Sequence, residues 1–162
     1  MPELNVDLLT KIRNELVKKE GQKFVFDMNY FVRIPEENVK VDGGHVEPSL
    51  CGTQCCIAGL ATILGNPASV KEKFSKELES GHLYTNLGHY HLDNEIEARK
   101  LLGLSIVKSH QLFYGNLPNG QSIDLETIKP EHAVTVIDHL IETGKVDWSL
   151  VEDEYGIVVN EE

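Results

Sequence analysis

The chain has 162 residues, 41% hydrophobic and 25% charged, the proportions of a globular domain and not of a disordered or fibrous one. Its formal net charge of −11 repels polyanions and argues against general binding to nucleic acid or to an anionic membrane surface. A single domain over 1–162, with an acidic C-terminal tail at 152–162, accounts for this length.

The N-terminus, Met-Pro-Glu-Leu-Asn-Val-Asp, has no basic region ahead of an apolar core, so the expected location is cytoplasmic. Residues 5–20 read as an amphipathic helix capped by Asn5, with Leu9, Ile12 and Leu16 on one face and Gly21 beyond its end. Phe24, Phe26 and Met28 then alternate with Val25 and Asp27, the period of a short extended segment packing aromatics onto the core. Residues 34–50 read as loop, broken by Pro35, Gly43-Gly44 and Pro48.

Leu50 to Gly65 is the most apolar helix-like run and holds all three cysteines, Cys51, Cys55 and Cys56. Thr53 is the expected N-cap and Gly65 the terminator of a central helix over about residues 53–64. No charge interrupts Cys51 to Gly65, the pattern of a helix buried on most sides, and about fifteen residues fall short of the roughly twenty that cross a bilayer. Three clustered cysteines argue against a disulfide framework.

Asn66-Pro67 opens another expected helix, with Val70, Phe74 and Leu78 on one stripe and Ser80-Gly81 at its end. Gly81 to Leu92 carries His82, Tyr84, His89, Tyr90 and His91 and reads as an exposed functional loop. Asp93 and Ser105 are expected caps of two short helices separated by Gly103-Leu104, a helical hairpin whose second helix lacks the basic stripe of a DNA reader. Asn116 to Ile128 is turn-rich, and a last long helix runs from Pro130 to Thr143, with His132 and His139 on its solvated face. Trp148 is expected to pack back on that helix, and Ile157 to Val159 to add a strand beside residues 23–27.

Phe26-Asp-Met28, Cys51-Gly-Thr-x-x-Cys-Ile-Ala-Gly59, Ala98-Arg-Lys-Leu-Leu-Gly-Leu-Ser105, Leu112-Phe113 and Thr143-Gly-x-Val-Asp-Trp148 together resemble a group of small uncharacterised bacterial and phage-encoded proteins. Leu117-Pro118 departs from the Trp-Pro of similar proteins. The resemblance implies that these segments are parts of one domain, and no activity comes with it.

Cys51 and Cys55 are the candidate nucleophiles, because a helix start favours a thiolate or a bound anion; His45, His89 or His91 would have to act as base. The candidate ligand site is the helix entrance Gly52, Thr53 and Gln54 together with His89, Tyr90 and His91. Cys51 and Cys55 with loop histidines do not match a finger or ribbon spacing, so no metal and no cofactor is expected. Phosphate-loop, dinucleotide and serine-hydrolase signatures are missing from the sequence.

The fold expected is mainly α, one compact domain of about five or six helices around the buried central helix, with room for a two-stranded β element. The leading functional reading is a small binding protein of phage-encoded type, more binder than enzyme. It would hold a small anionic ligand such as a nucleotide signal at the cysteine-bearing helix N-terminus, or dock on a host protein through an acidic surface. The competing readings are a cysteine enzyme with a histidine base and an acidic mimic of DNA that blocks a nucleic-acid-binding protein. The sequence leaves the oligomeric state open.

Overall fold

Asn5 shows how local chemistry sets the first element. Its side-chain oxygen accepts from the Leu8 N–H at 3.0 Å and so caps helix α1 (Val6–Val17), whose Leu8, Leu9, Ile12 and Leu16 are buried. The computed structural model describes residues 3–18, 24–28, 32–33, 39–42, 45–48, 53–68, 72, 92–117, 121–151 and 159–160. Among them are five α-helices: α1, α2 (Ile57–Gly65), α3 (Leu92–Leu102), α4 (Ile106–Tyr114) and α5 (Pro130–Thr143). The protein is mainly helical, as its periodicity predicts.

α2 is the centre. Every residue from Ile57 to Ile63 is buried, and the helix packs on α3 and on α1, while α1 packs most extensively on α5. Gly65 lets α2 end tightly, since a Cβ there would sit 3.2 Å from Leu8 and 3.3 Å from Leu101. One cluster of buried apolar side chains runs from Leu8 through Ile57, Leu60, Leu112 and Ile137 to Val151.

Short strands complete the fold, and one of them leads directly into α2. β1 (Phe24–Phe26) runs parallel to β5 (Thr53–Cys55), and β2 (Val32–Arg33) pairs with β5 antiparallel, giving the order β1-β5-β2. β3 (Val39–Asp42) and β4 (His45–Pro48) form an antiparallel pair in which Asp42 faces His45. β6 (Ser122–Ile123) pairs with β7 (Val159–Asn160). Two 3₁₀ turns, Leu125–Thr127 and Trp148–Val151, complete the described elements.

Four expectations are corrected. The central helix begins at Ile57 and not after Thr53, because Thr53, Gln54 and Cys55 are spent on ladder pairing with Phe24, Val25 and Phe26. Within 34–50 two strands form where loop was expected. The tail strand at Val159–Asn160 lies beside Ser122–Ile123 instead of residues 23–27. α3 begins at Leu92, so Asp93 stands inside its first turn and is no cap. The expected helix with Val70, Phe74 and Leu78 lies mostly outside the described residues; Pro67, Ala68 and Glu72 are helical.

Five more helix boundaries match the cap chemistry. Ser105 Oγ accepts from the Lys108 N–H at 3.2 Å and opens α4, and Gly115, at φ +66°, closes it. Pro130 opens α5 and Gly144, at φ +75°, ends it. Gly103, at φ +68°, turns the chain from α3 to α4. At that turn Asn5 acts again: its backbone N–H donates to the Leu102 carbonyl and its side-chain amide to the Leu101 carbonyl, both at 2.9 Å. The same residue therefore satisfies the start of α1 and the end of α3.

Candidate functional site

The cysteine stretch places its two described thiols differently from the sequence reading. Cys55 is the last residue of β5 and fully buried; Cys56 is the N-cap of α2 and 6% exposed. The Cys56 Sγ accepts from the Gly59 N–H at 3.4 Å, doing the work expected of the Thr53 hydroxyl. Desolvation pushes the Cys55 thiol well above its ordinary value, and the neighbouring Cys56 and Glu15 add to it. Desolvation likewise raises Cys56 to about 11, although backbone N–H groups of Gly59, Ala58 and Cys56 itself pull the other way. Both side chains are thiols at neutral pH, and neither is in a disulfide.

The start of α2 offers an anion little room, since the thiol occupies the cap and Ile57 and Ala58 are buried behind it. Gln54 is half-buried in the middle of β5, and Thr53 stands opposite Phe24 in the ladder. Cys51, Gly52, His89, Tyr90 and His91 lie outside the described residues, as does the side chain of His45. Where α1 begins and α3 ends, two adjoining surface grooves of about 450 and 460 Å³ share Lys100 and Leu101. Glu3, Asp7 and Glu97 line them too, an acidic setting that disfavours an anionic ligand.

The structure assembles a second cluster that the sequence reading did not single out. Glu95 of α3 accepts from the Tyr114 hydroxyl at 2.7 Å with one carboxylate oxygen, and its other oxygen lies 2.9 Å from His110 Nε2. The two rings meet edge to face with centroids 5.7 Å apart. Desolvation, then the hydrogen bond and charge of Glu95, then the charge of Cys56 push the Tyr114 phenol up to about 12. The signal for this cluster was present as Ile106, His110 and Tyr114 at four-residue steps, and only the packing of α3 on α4 supplies its carboxylate.

His132 and His139, expected on a solvated face, are both withdrawn from it: His139 is half-buried, and His132 is fully buried, its Nδ1 accepting from the Lys129 N–H at 2.9 Å. It lies on the Val136–Leu140 stripe at the first turn of α5. Among the described residues no group of three His, Cys, Asp or Glu side chains is placed to hold a metal, and no helix is long and apolar enough to cross a membrane. Comparison with known proteins gives no match to a protein family, to a curated protein or to a solved structure.

Proposed function

We propose that the protein is a binding protein that docks on a basic partner protein through its acidic surface. The observation that carries the reading is where the charge lies. Residues 92–117 hold three acidic and three basic side chains, so the whole net charge of −11 falls on the rest of the chain. On α5, Glu131 and Glu142 are exposed on the side away from Val136, Ile137 and Leu140, and Asp138 is half-exposed beside Arg13. Such a surface raises the encounter rate with a basic partner and loses that advantage as salt screens it. The resemblance to bacterial and phage-encoded proteins adds a host protein as the source of the partner.

Two features of the described residues weigh against the cysteine-enzyme reading and against the small-ligand form of the binding reading. A nucleophile needs thiolate at neutral pH, and burial keeps Cys55 and Cys56 protonated. An anionic ligand is favoured by open N–H groups at the start of α2, and there the Gly59 N–H is already taken by the Cys56 thiol while Ile57 and Ala58 are buried.

Iodoacetamide labelling against pH, read residue by residue by peptide mass spectrometry, tests the choice. Cys55 and Cys56 of the folded protein should stay unlabelled below about pH 8.5 and react on unfolding. Rapid labelling of either at neutral pH in the folded state, or labelling of Cys51 that titrates well below the ordinary thiol value of about 8.5, would restore the enzyme reading. For docking, the wild-type chain as bait should retain a basic protein at about 50 mM salt and release it at about 500 mM. Glu131→Lys with Glu142→Lys should cut the retention several-fold; retention indifferent to salt and to these changes would overturn the docking reading.

A further inference from the structure

We propose that Glu95, His110 and Tyr114 form a surface binding site for a ferric ion. The site belongs to α3 and α4 and not to the acidic face of α5, and the inference stands without the docking reading.

His110 and Tyr114 stand four residues apart on α4, so one face of that helix carries an imidazole and a phenol one turn apart. Glu95 reaches both from α3: one carboxylate oxygen lies 2.9 Å from His110 Nε2, and the other accepts from the Tyr114 hydroxyl at 2.7 Å. A nitrogen donor and two kinds of oxygen donor are thus gathered around one carboxylate. His, Cys, Asp and Glu alone make no group of three among the described residues, and the phenol oxygen completes this one. In an octahedral site with bonds of about 2.1 Å, neighbouring donors are about 3.0 Å apart. Both contacts come close to that edge length, the spacing of a chelating carboxylate flanked by two further ligands.

Exposure suits the role. The Glu95 side chain is 19% exposed, which keeps its charge partly out of water, while His110 and Tyr114 are half-exposed and leave the remaining coordination positions open to water. Donor chemistry selects the ion. With the phenol deprotonated, two of the three donor groups are anionic oxygen ligands, a hard set. A phenol with an ordinary pKa of about 10 yields its proton at neutral pH only to a strongly polarising cation. That proton goes to solvent, and His110 binds as the neutral imidazole through Nε2, its own proton on Nδ1. The net charge of −11 draws cations toward the molecule.

Titration of the full chain with ferric citrate at about pH 7 tests this. Iron should stay with the protein through gel filtration at about one ion per chain, and a visible phenolate-to-iron charge-transfer band should appear. Tyr114→Phe should abolish the band, and Glu95→Gln should cut iron retention about tenfold or more, both with the circular dichroism spectrum of the unaltered chain. Tyr155→Phe, a change in the acidic tail, should leave band and retention intact. Should Tyr114→Phe fold poorly, the Glu95→Gln result decides. Absence of both the band and retained iron would overturn the proposal. So would a band that survives Tyr114→Phe or that Tyr155→Phe removes, or iron that Glu95→Gln holds as tightly as before.

Discussion

Histidine 132 carries the clearest consequence at the scale of a single residue. Desolvation lowers its pKa below the ordinary 6.5, Glu131 offsets part of that, and Lys129 adds to it. A depressed value means that the unfolded chain takes up the proton first. The stability His132 contributes is therefore fully present above about pH 6.5 and is lost as pH falls below it toward the folded-state value. Urea midpoints should drop between pH 7 and 5, and His132→Gln, which cannot titrate, should flatten that drop while lowering stability at pH 7 by about 1 kcal/mol through the altered start of α5. An unchanged slope in the variant would show that other groups govern this window. Cysteine 56 makes a related point: a thiol does the capping normally left to a hydroxyl or carboxylate, which is why the sequence pointed to Thr53 and the fold chose a residue three positions on.

Whole elements were legible wherever their ends carry their own chemistry. Asn5, Ser105 with Gly115, and Pro130 with Gly144 bound three helices as the sequence predicts, because caps and left-handed glycines act within one turn. The two left-handed glycines that follow α3 and α5 differ sharply in surroundings. A Cβ on Gly103 would lie 1.9 Å from the Glu3 carbonyl oxygen, whereas one on Gly144 meets nothing within 4 Å. Gly103→Ala should therefore cost about 2–4 kcal/mol in urea unfolding and Gly144→Ala about 1 kcal/mol. Equal losses would show that the Glu3 segment shifts aside freely. Pairings were less legible than ends. Gly43-Gly44 between Val39–Asp42 and His45–Pro48 was an available hairpin signal, outweighed in the sequence reading by the prolines around it. The partner of the Val159 strand depends on contacts far away in sequence, which no local pattern encodes. Trp148 is fully buried and packs near α5 as expected, yet its indole N–H donates to the Gln111 carbonyl at 2.7 Å, a bond to α4 that spacing could not announce. The candidate site was the least legible part: the described thiols are sealed, and the Glu95–His110–Tyr114 cluster exists only once two helices pack.

Across the whole molecule, charge acts at the longest range. With 26 acidic against 15 basic residues the compact state works against its own field. Few described ion pairs relieve it; Arg13 to Asp138, at 2.6 Å, is the one that joins α1 to α5, and it is partly exposed. Raising sodium chloride to about 0.5 M should lift the thermal midpoint by about 2–5 °C, read by circular dichroism. A fall would mean that ion pairs outweigh the net repulsion.

That same Arg13–Asp138 pair spans 125 residues, and the Asn5 side chain reaches 96 residues ahead to Leu101. During synthesis the first helix thus leaves the ribosome long before α3 and α5, which pack on it together with α2. Until residue 143 has emerged, Leu9, Ile12 and Leu16 lack the α5 surface that buries them. Chains interrupted before that point leave the apolar stripe of α1 only partly covered, by α2 and α3, and they are the species most prone to aggregate or to engage a chaperone.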